Sequence, residues 1–164
     1  MIQKARMEQL EEILAIYAQA RVFMAQTGNP NQWSDYYPPQ EMIRRDILNG
    51  KSYVNLKDGK IAAVFYFSQE EDPTYGYIDG AWCNEKPYGV IHRIAVSGNG
   101  RGLAAECFAF ALEQCDELRM DTHYDNIPMQ RCFAKNGFKR CGIIYLEDGD
   151  PRIAYQRSKV WSKN

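Results

Sequence analysis

The sequence predicts one α/β domain, built on a mixed central sheet of about seven strands with helices on both faces. Three observations carry this expectation. Apolar residues repeat at helical spacing in four stretches, short β-type runs bounded by turn residues fall between them, and hairpin-like pairs in the first half give way to strand–helix–strand crossovers in the second. At 164 residues the chain fits a single domain spanning 1–164, and a domain of that size buries roughly 70% of the surface its unfolded form would expose.

Taken in order, residues 2–5 suit a short first strand, and Leu10, Ile13, Leu14, Tyr17 and Ala18 then mark an amphipathic helix reaching about Ala25. Residues 27–38 hold Gly28, Pro30, Pro38, Trp33, Tyr36 and Tyr37, the composition of an aromatic-rich loop, before a short helix over 39–48. The clearest hairpin is 52–56 with 61–67, because Asp58-Gly59 between them supplies the positive φ angles that a tight turn requires. Residues 68–89 mix acidic residues, Pro, Gly and the aromatics Tyr75, Tyr77, Trp82 and Tyr88 without periodicity, and read as a partly ordered insertion. A strand over 90–96, a turn over 97–101 and a helix marked by Leu103, Cys107, Phe108, Ala111, Leu112 and Cys115 follow. Residues 118–122 form the next strand. Asn126 is placed to cap a helix that Gly137 stops near Asn136, and 138–146 with 152–157 close the chain as a hairpin around residues 148–151.

Composition excludes several classes. Hydrophobic residues make up 45% and charged residues 25%, which argues against disorder. Lys and Arg (20) nearly balance Asp and Glu (21), so there is no electrostatic footprint for nucleic acid or an anionic membrane. The N-terminal segment carries carboxylates inside its apolar pattern and lacks the uninterrupted apolar run of a signal peptide or membrane span, so a cytoplasmic location is expected. Five cysteines, with no Cys-x-x-Cys pair and no His cluster at ligand spacing, suit reduced thiols and no metal.

The segment with chemical content runs from Ile91 through His92, Arg93, Ile94, Ala95 and Val96 into Ser97-Gly98-Asn99-Gly100-Arg101-Gly102-Leu103-Ala104. It is a strand, a glycine-rich turn and a helix start. Such a turn aims backbone N–H groups at one spot and adds the positive end of a helix, so a pyrophosphate fits there; a plain strand-to-helix turn uses the same glycines. The turn resembles motif A of the GNAT acetyltransferases, Arg/Gln-x-x-Gly-x-Gly/Ala, with Asn99, Gly102 and Ala104 at its defining places; Asn99 departs from the usual Arg or Gln. Residues 126–138, opening on Asn126 and closing on Gly137-Phe138, resemble motif B. The resemblance covers about 52–157 and implies the GNAT fold, acetyl-CoA as co-substrate and acetyl transfer to an amine.

Residue by residue, the resemblance implies that the backbone of Ile94, Ala95 and Val96 bonds the pantetheine arm. It implies that the N–H groups of Gly100, Arg101, Gly102, Leu103, Ala104 and Ala105 hold the pyrophosphate, and that Asn126 meets the pantetheine. Phe133 falls where many members carry a Tyr beside the CoA sulfur. His92, four residues before the motif's Val, is where some amine-acetylating members carry a catalytic His. Strand alternation would put His92, Ile94 and Val96 on one face. An alkyl amine with pKa near about 10.4 must lose a proton before it attacks, and an imidazole can take it; a His satisfied by hydrogen bonds in the sheet is the plainer account. His123 is the second candidate base, with a loop His tied to Asp121 or Asp125 as its alternative, and Tyr124 is the candidate proton donor. Trp33, Tyr36, Tyr37, Tyr75, Tyr77 and Trp82 could form the acceptor pocket, or simply pack loops onto the sheet. The acidic run Glu70-Glu71-Asp72 reads as a solvated loop. The expected acceptor is a small-molecule or peptide amine. A CoA-binding module without turnover and an interaction protein that dimerises through its aromatic segments are the rival readings.

Overall fold

The computed structural model describes residues 1–98 and 100–161. Eight strands form one sheet: β1 (Ile2–Lys4), β2 (Ser52–Lys57), β3 (Lys60–Ser68), β4 (Asp79–Gly80), β5 (Gly89–Val96), β6 (Glu117–Thr122), β7 (Lys139–Tyr145) and β8 (Pro151–Ser158), in the order β1-β2-β3-β5-β6-β8-β7-β4. The helices are α1 (Leu10–Gln26), α2 (Gln40–Leu48), α3 (Leu103–Gln114) and α4 (Ile127–Lys135). The expected elements are all present. The eighth strand is β4, two residues of the 68–89 insertion that pair with β7 and are too short to leave a period in sequence.

Alternation along β3 sorts its side chains between two cores. Ala63, Phe65 and Phe67 join Leu103, Cys107 and Phe108 of α3 and Phe133 of α4 on one face. Val64 faces the other way and joins Ile13, Ile16 and Tyr17 of α1 with Ile43 and Ile47 of α2. Phe65 and Ile13 are fully enclosed, and each such side chain contributes roughly 1.5–3 kcal/mol relative to an exposed one. A third, smaller core gathers Tyr75, Val90, Ile144 and Ala154, with Trp82 and Tyr88 packed against it. It fastens the insertion to the sheet, so 68–89 is more ordered than its irregular sequence suggests.

Two features of β5 create the site. It runs parallel to β6 but pairs with it only at Gly89↔Leu118 and Val90↔Arg119. Beyond Val90 the strands part, and the β6-facing edge of β5 has no strand partner among the described residues. The second feature is a bulge. Val64 pairs with Ala95 and Tyr66 with His92, so Phe65 alone stands opposite both Arg93 and Ile94. Arg93 takes φ 51°, a left-handed conformation costly for a side-chain-bearing residue. Its surroundings hold it there: the Tyr17 hydroxyl donates to the Arg93 carbonyl at 2.8 Å, and the guanidinium donates to Asp46 Oδ2 from Nε and Nη2 at 3.1 and 2.8 Å. That guanidinium also lies 4.7 Å from the centre of the Tyr66 ring. The extra residue reverses the alternation expected for this strand. Ile94 packs toward the α3 core and Ala95 toward the α1–α2 core, so His92 and Ile94 do not share a face.

Candidate active site

Where β5 and β6 part, a cavity of about 960 Å³ opens, bounded by the ends of both strands, α4, the 27–38 loop and part of the insertion. His92 lies on its wall at the last regular position of β5 before the bulge. Its Nε2 is 2.6 Å from Asp72 Oδ2 and its Nδ1 is 4.0 Å from Asp121 Oδ2. Asp72 is held by a short 3-10 turn over Pro73–Tyr75, where its Oδ1 accepts from the Thr74 N–H at 2.8 Å and the Thr74 hydroxyl at 2.7 Å. Burial would raise the Asp72 carboxyl, but the hydrogen bonds from His92 and Thr74 outweigh it and hold the group at about 2. Across the cavity wall the Tyr75 hydroxyl donates to Asp121 Oδ2 at 2.6 Å. Tyr75 is fully enclosed, and burial together with the neighbouring Asp121 pushes its hydroxyl well above the ordinary tyrosine value, so it remains a donor. Asp46 is raised by burial, against the pull of Arg93.

At the far end of β5 the chain turns through Gly98 and Gly102 into α3. Gly102 is the N-cap at φ 76°, with no side-chain cap bond, and a Cβ placed on it would meet nothing within 4 Å. The first N–H groups of a helix have no intrahelical acceptors. At Leu103, Ala104 and Ala105 they are left without a capping side chain, behind a glycine that leaves room, which suits an anionic group. Asn99 lies outside the described residues. Among the described residues no group of three or more His, Cys, Asp or Glu is placed to hold a metal ion, and no helix is long and apolar enough to cross a membrane.

Residues 8–138 match the model of the acetyltransferase (GNAT) family. The chain belongs to the GNAT acetyltransferase family. A GNAT-family acetyltransferase from Streptococcus agalactiae is 33% identical to it, with 96% of this chain and 94% of that one covered and a TM-score of 0.88. Two more distant structures share the fold. One is a GNAT-family acetyltransferase from Bacillus cereus (22% identity, 98% of each chain, TM-score 0.65). The other is a ribosomal-protein-alanine N-acetyltransferase from Brucella melitensis (18% identity, 96% and 99% of the two chains, TM-score 0.66). No curated protein gives a significant match.

Against this GNAT frame the expected site residues divide. His92, Ile94, Asn126, Phe133, Trp33 and Tyr37 line the cavity. Ala95 is buried, Val96 is partly exposed beside the glycine turn, and Arg101 is exposed on it. Asn126 has both side-chain ends engaged: Oδ1 accepts from the Met129 N–H at 3.1 Å and Nδ2 donates to Gln32 Oε1 at 2.9 Å. A pantetheine contact there would compete with Gln32. Phe133 is fully buried, 4.5 Å from the Tyr155 ring centre and 5.0 Å from that of Phe138.

His123, Tyr124, Tyr36, Tyr77 and Trp82 are not on the cavity wall. The Nδ1 of His123 accepts from the Asp125 N–H at 3.0 Å, the plain loop role. Tyr124 and Tyr36 are largely exposed, and Tyr77 lies tilted against Tyr145 at the surface, 6.3 Å between ring centres. Trp82 lies 4.3 Å from the Arg119 guanidinium, which also lies 4.1 Å from the centre of the Tyr88 ring. Tyr75, expected among the acceptor-pocket aromatics, is enclosed and does not line the cavity; the sequence alone does not mark Asp72 or Asp121 as site residues. The only local signal was Asp72-Pro73-Thr74, an N-cap residue followed by Pro, inside a run otherwise typical of a solvated loop; Glu70 and Glu71 are indeed exposed.

Proposed function

We propose that this GNAT protein is an acetyl-CoA-dependent N-acetyltransferase that moves an acetyl group to a primary amine of a small molecule or peptide, with both substrates bound together. The observation that carries the proposal is the meeting of the unpaired β5 edge and the His92–Asp72 pair in one cavity. Acetyl-CoA bound along that edge would supply an activated thioester. The uncapped start of α3 would hold its anionic end, and Ile94 to Val96 would present backbone hydrogen-bonding groups to its arm and to the carbonyl that reacts.

The rest is proton handling by this chain. An alkyl amine with pKa near about 10.4 is almost wholly protonated at neutral pH and cannot attack until it loses a proton. A carboxylate at Asp72 accepts hydrogen from Nε2 of His92 at 2.6 Å, which leaves the lone pair of a neutral imidazole on Nδ1. Nδ1 is therefore the atom that takes the amine's proton, directly or through one water. Phe133 provides no proton for a leaving thiol. For a thiol with pKa near about 8.5, leaving unprotonated at pH 7.5 costs only about 1.4 kcal/mol. Phe133, with Asn99 in the turn, favours a second reading as a CoA-binding module without turnover.

The test is release of free thiol from acetyl-CoA in a screen of amino acids, polyamines, aminoglycosides and peptide N-termini. It is paired with thermal stabilisation by acetyl-CoA in wild type and Gly102→Glu. Thiol release with any amine, and stabilisation lost in Gly102→Glu, is the expected outcome. Stabilisation without release selects the binding module, and neither at millimolar acetyl-CoA removes the proposal.

A further inference from the structure

Resting on the amine-acetyltransferase reading, we infer that Asp121 is the anchor for the acceptor's ammonium group and that Tyr75 is the residue that positions it. Asp121 sits on β6 where that strand has parted from β5, on the wall of the cavity and with its side chain only 13% exposed. One carboxylate oxygen is committed: Oδ2 accepts the Tyr75 hydroxyl at 2.6 Å. Among the described residues Oδ1 has no hydrogen-bond partner, and no Arg or Lys lies within ion-pair distance of either oxygen; His92 Nδ1, at 4.0 Å, is the nearest basic nitrogen. Of the other carboxylates that line the cavity, Asp46 is matched by Arg93 at 2.8 Å and Asp72 by His92 and Thr74, while Glu147, Asp148 and Asp150 are exposed to water. Asp121 thus presents a partly desolvated negative charge without a fixed cation, beside the nitrogen that must take a proton. Such a group is costly in an empty cavity and favourable once a cation arrives.

The chemistry follows from the spacing. An alkylammonium placed at Oδ1 directs a second N–H toward Nδ1 of His92. As that N–H bond breaks and Nδ1–H forms, the electron pair stays on the amine nitrogen, and the imidazolium is stabilised by Asp72 on its far side. The substrate class is then a protonated alkylamine, selected over an alcohol of the same shape by charge. Tyr75 does not touch the ammonium; its hydroxyl orients the carboxylate so that Oδ1 is the free oxygen.

The experiment needs no turnover. The chain has two histidines, His92 and His123, so the ring nitrogens of 15N-histidine-labelled protein are assigned with a single His92→Gln variant. Benzylammonium chloride and benzyl alcohol are titrated separately at pH 7. Expected are a saturable shift of the His92 ring with benzylammonium and a much weaker one with benzyl alcohol. Asp121→Asn should weaken the benzylammonium affinity tenfold or more with its melting temperature little changed. Asp121→Glu should recover part of it, and Tyr75→Phe should lose several-fold. Equal benzylammonium affinity in wild type and Asp121→Asn, or no shift at His92 with benzylammonium, overturns the inference. Thiol release is scored separately, so a protein that binds ammonium at Asp121 but never releases thiol refutes the activity and leaves the anchor standing.

Discussion

The 27–38 loop and the 68–89 insertion are both irregular and both rich in aromatics, yet they are held to the sheet by different means. The insertion is fastened by burial. Tyr75 is enclosed, Trp82 and Tyr88 clasp Arg119, and these rings join Val90, Ile144 and Ala154 in a core of their own. Apart from Trp33, which packs on the α1–α2 core, the loop is fastened by polar bonds. Gln32 Oε1 accepts from Asn29, Thr122 and Asn126 at 2.8, 3.3 and 2.9 Å, and Arg152 reaches the Gln32 carbonyl at 3.3 Å. A burial-anchored segment can hold a carboxylate in a fixed place, as the insertion holds Asp72 against His92. A segment anchored largely by hydrogen bonds around one amide can shift at lower cost, which would suit the proposed acceptor side of the cavity.

That contrast can be broken most forcefully by stability. Tyr75→Ala removes an enclosed aromatic and should cost roughly 3–5 kcal/mol in urea unfolding, whereas Trp33→Ala, half-buried at the cavity, should cost about 1 kcal/mol. Equal losses would mean that both segments are held alike. Kinetics gives the next largest separation. His92→Ala should lower kcat/KM by roughly 10²-fold with acetyl-CoA affinity unchanged, and Asp72→Asn should lower kcat by about tenfold because the preferred tautomer is lost. Trp33→Ala should act on the acceptor KM instead. A change in KM alone for Asp72→Asn would assign the insertion to binding.

A smaller effect is the pH dependence of Asp72. Its carboxyl is held at about 2, below the ordinary value of 3.8, so its stabilisation is present above pH 4 and is lost as pH falls from about 4 to 2. The stability gap between wild type and Asp72→Asn should narrow across that window; a constant gap would show that the His92 contact contributes nothing. The smallest effect is on thiol labelling. Burial pushes Cys107 and Cys141 up to about 12 and Cys115 to about 11, while Cys83 of the insertion is exposed. Iodoacetamide at pH 8 should therefore modify Cys83 first without loss of fold, and early labelling of Cys141 would report that the insertion opens.

Sequence pattern carries most of the scaffold and places some of its candidate residues on the cavity wall. Helix and strand periods, the Asp58-Gly59 turn, the Asn126 cap and the glycine turn before α3 are local, and each falls within two residues of its expected position. His92 was legible through the family's motif spacing. The bulge was not, because it depends on Tyr17 and Asp46, distant in sequence, closing around Arg93. Asp72, Asp121 and the bond from Tyr75 to Asp121 are hidden for the same reason: they arise from contacts spanning 20 and 46 positions, and a carboxylate in an acidic run looks the same whether it faces water or a histidine. The aromatics misled in the opposite direction. Composition marks Trp82 as a pocket residue as readily as Trp33, and only packing separates them.

Trp33 also gives the cavity an optical signal. Its indole stands edge-on to Tyr17 at 5.9 Å and 5.7 Å from Tyr37, on the cavity wall. The emission colour of such a ring follows the water around it, so filling the cavity should shift it toward the blue. Trp82, pressed against Arg119, should keep its spectrum. With Trp82 and Trp161 replaced by Phe, stopped-flow fluorescence would time the arrival of the acceptor separately from the chemistry that follows.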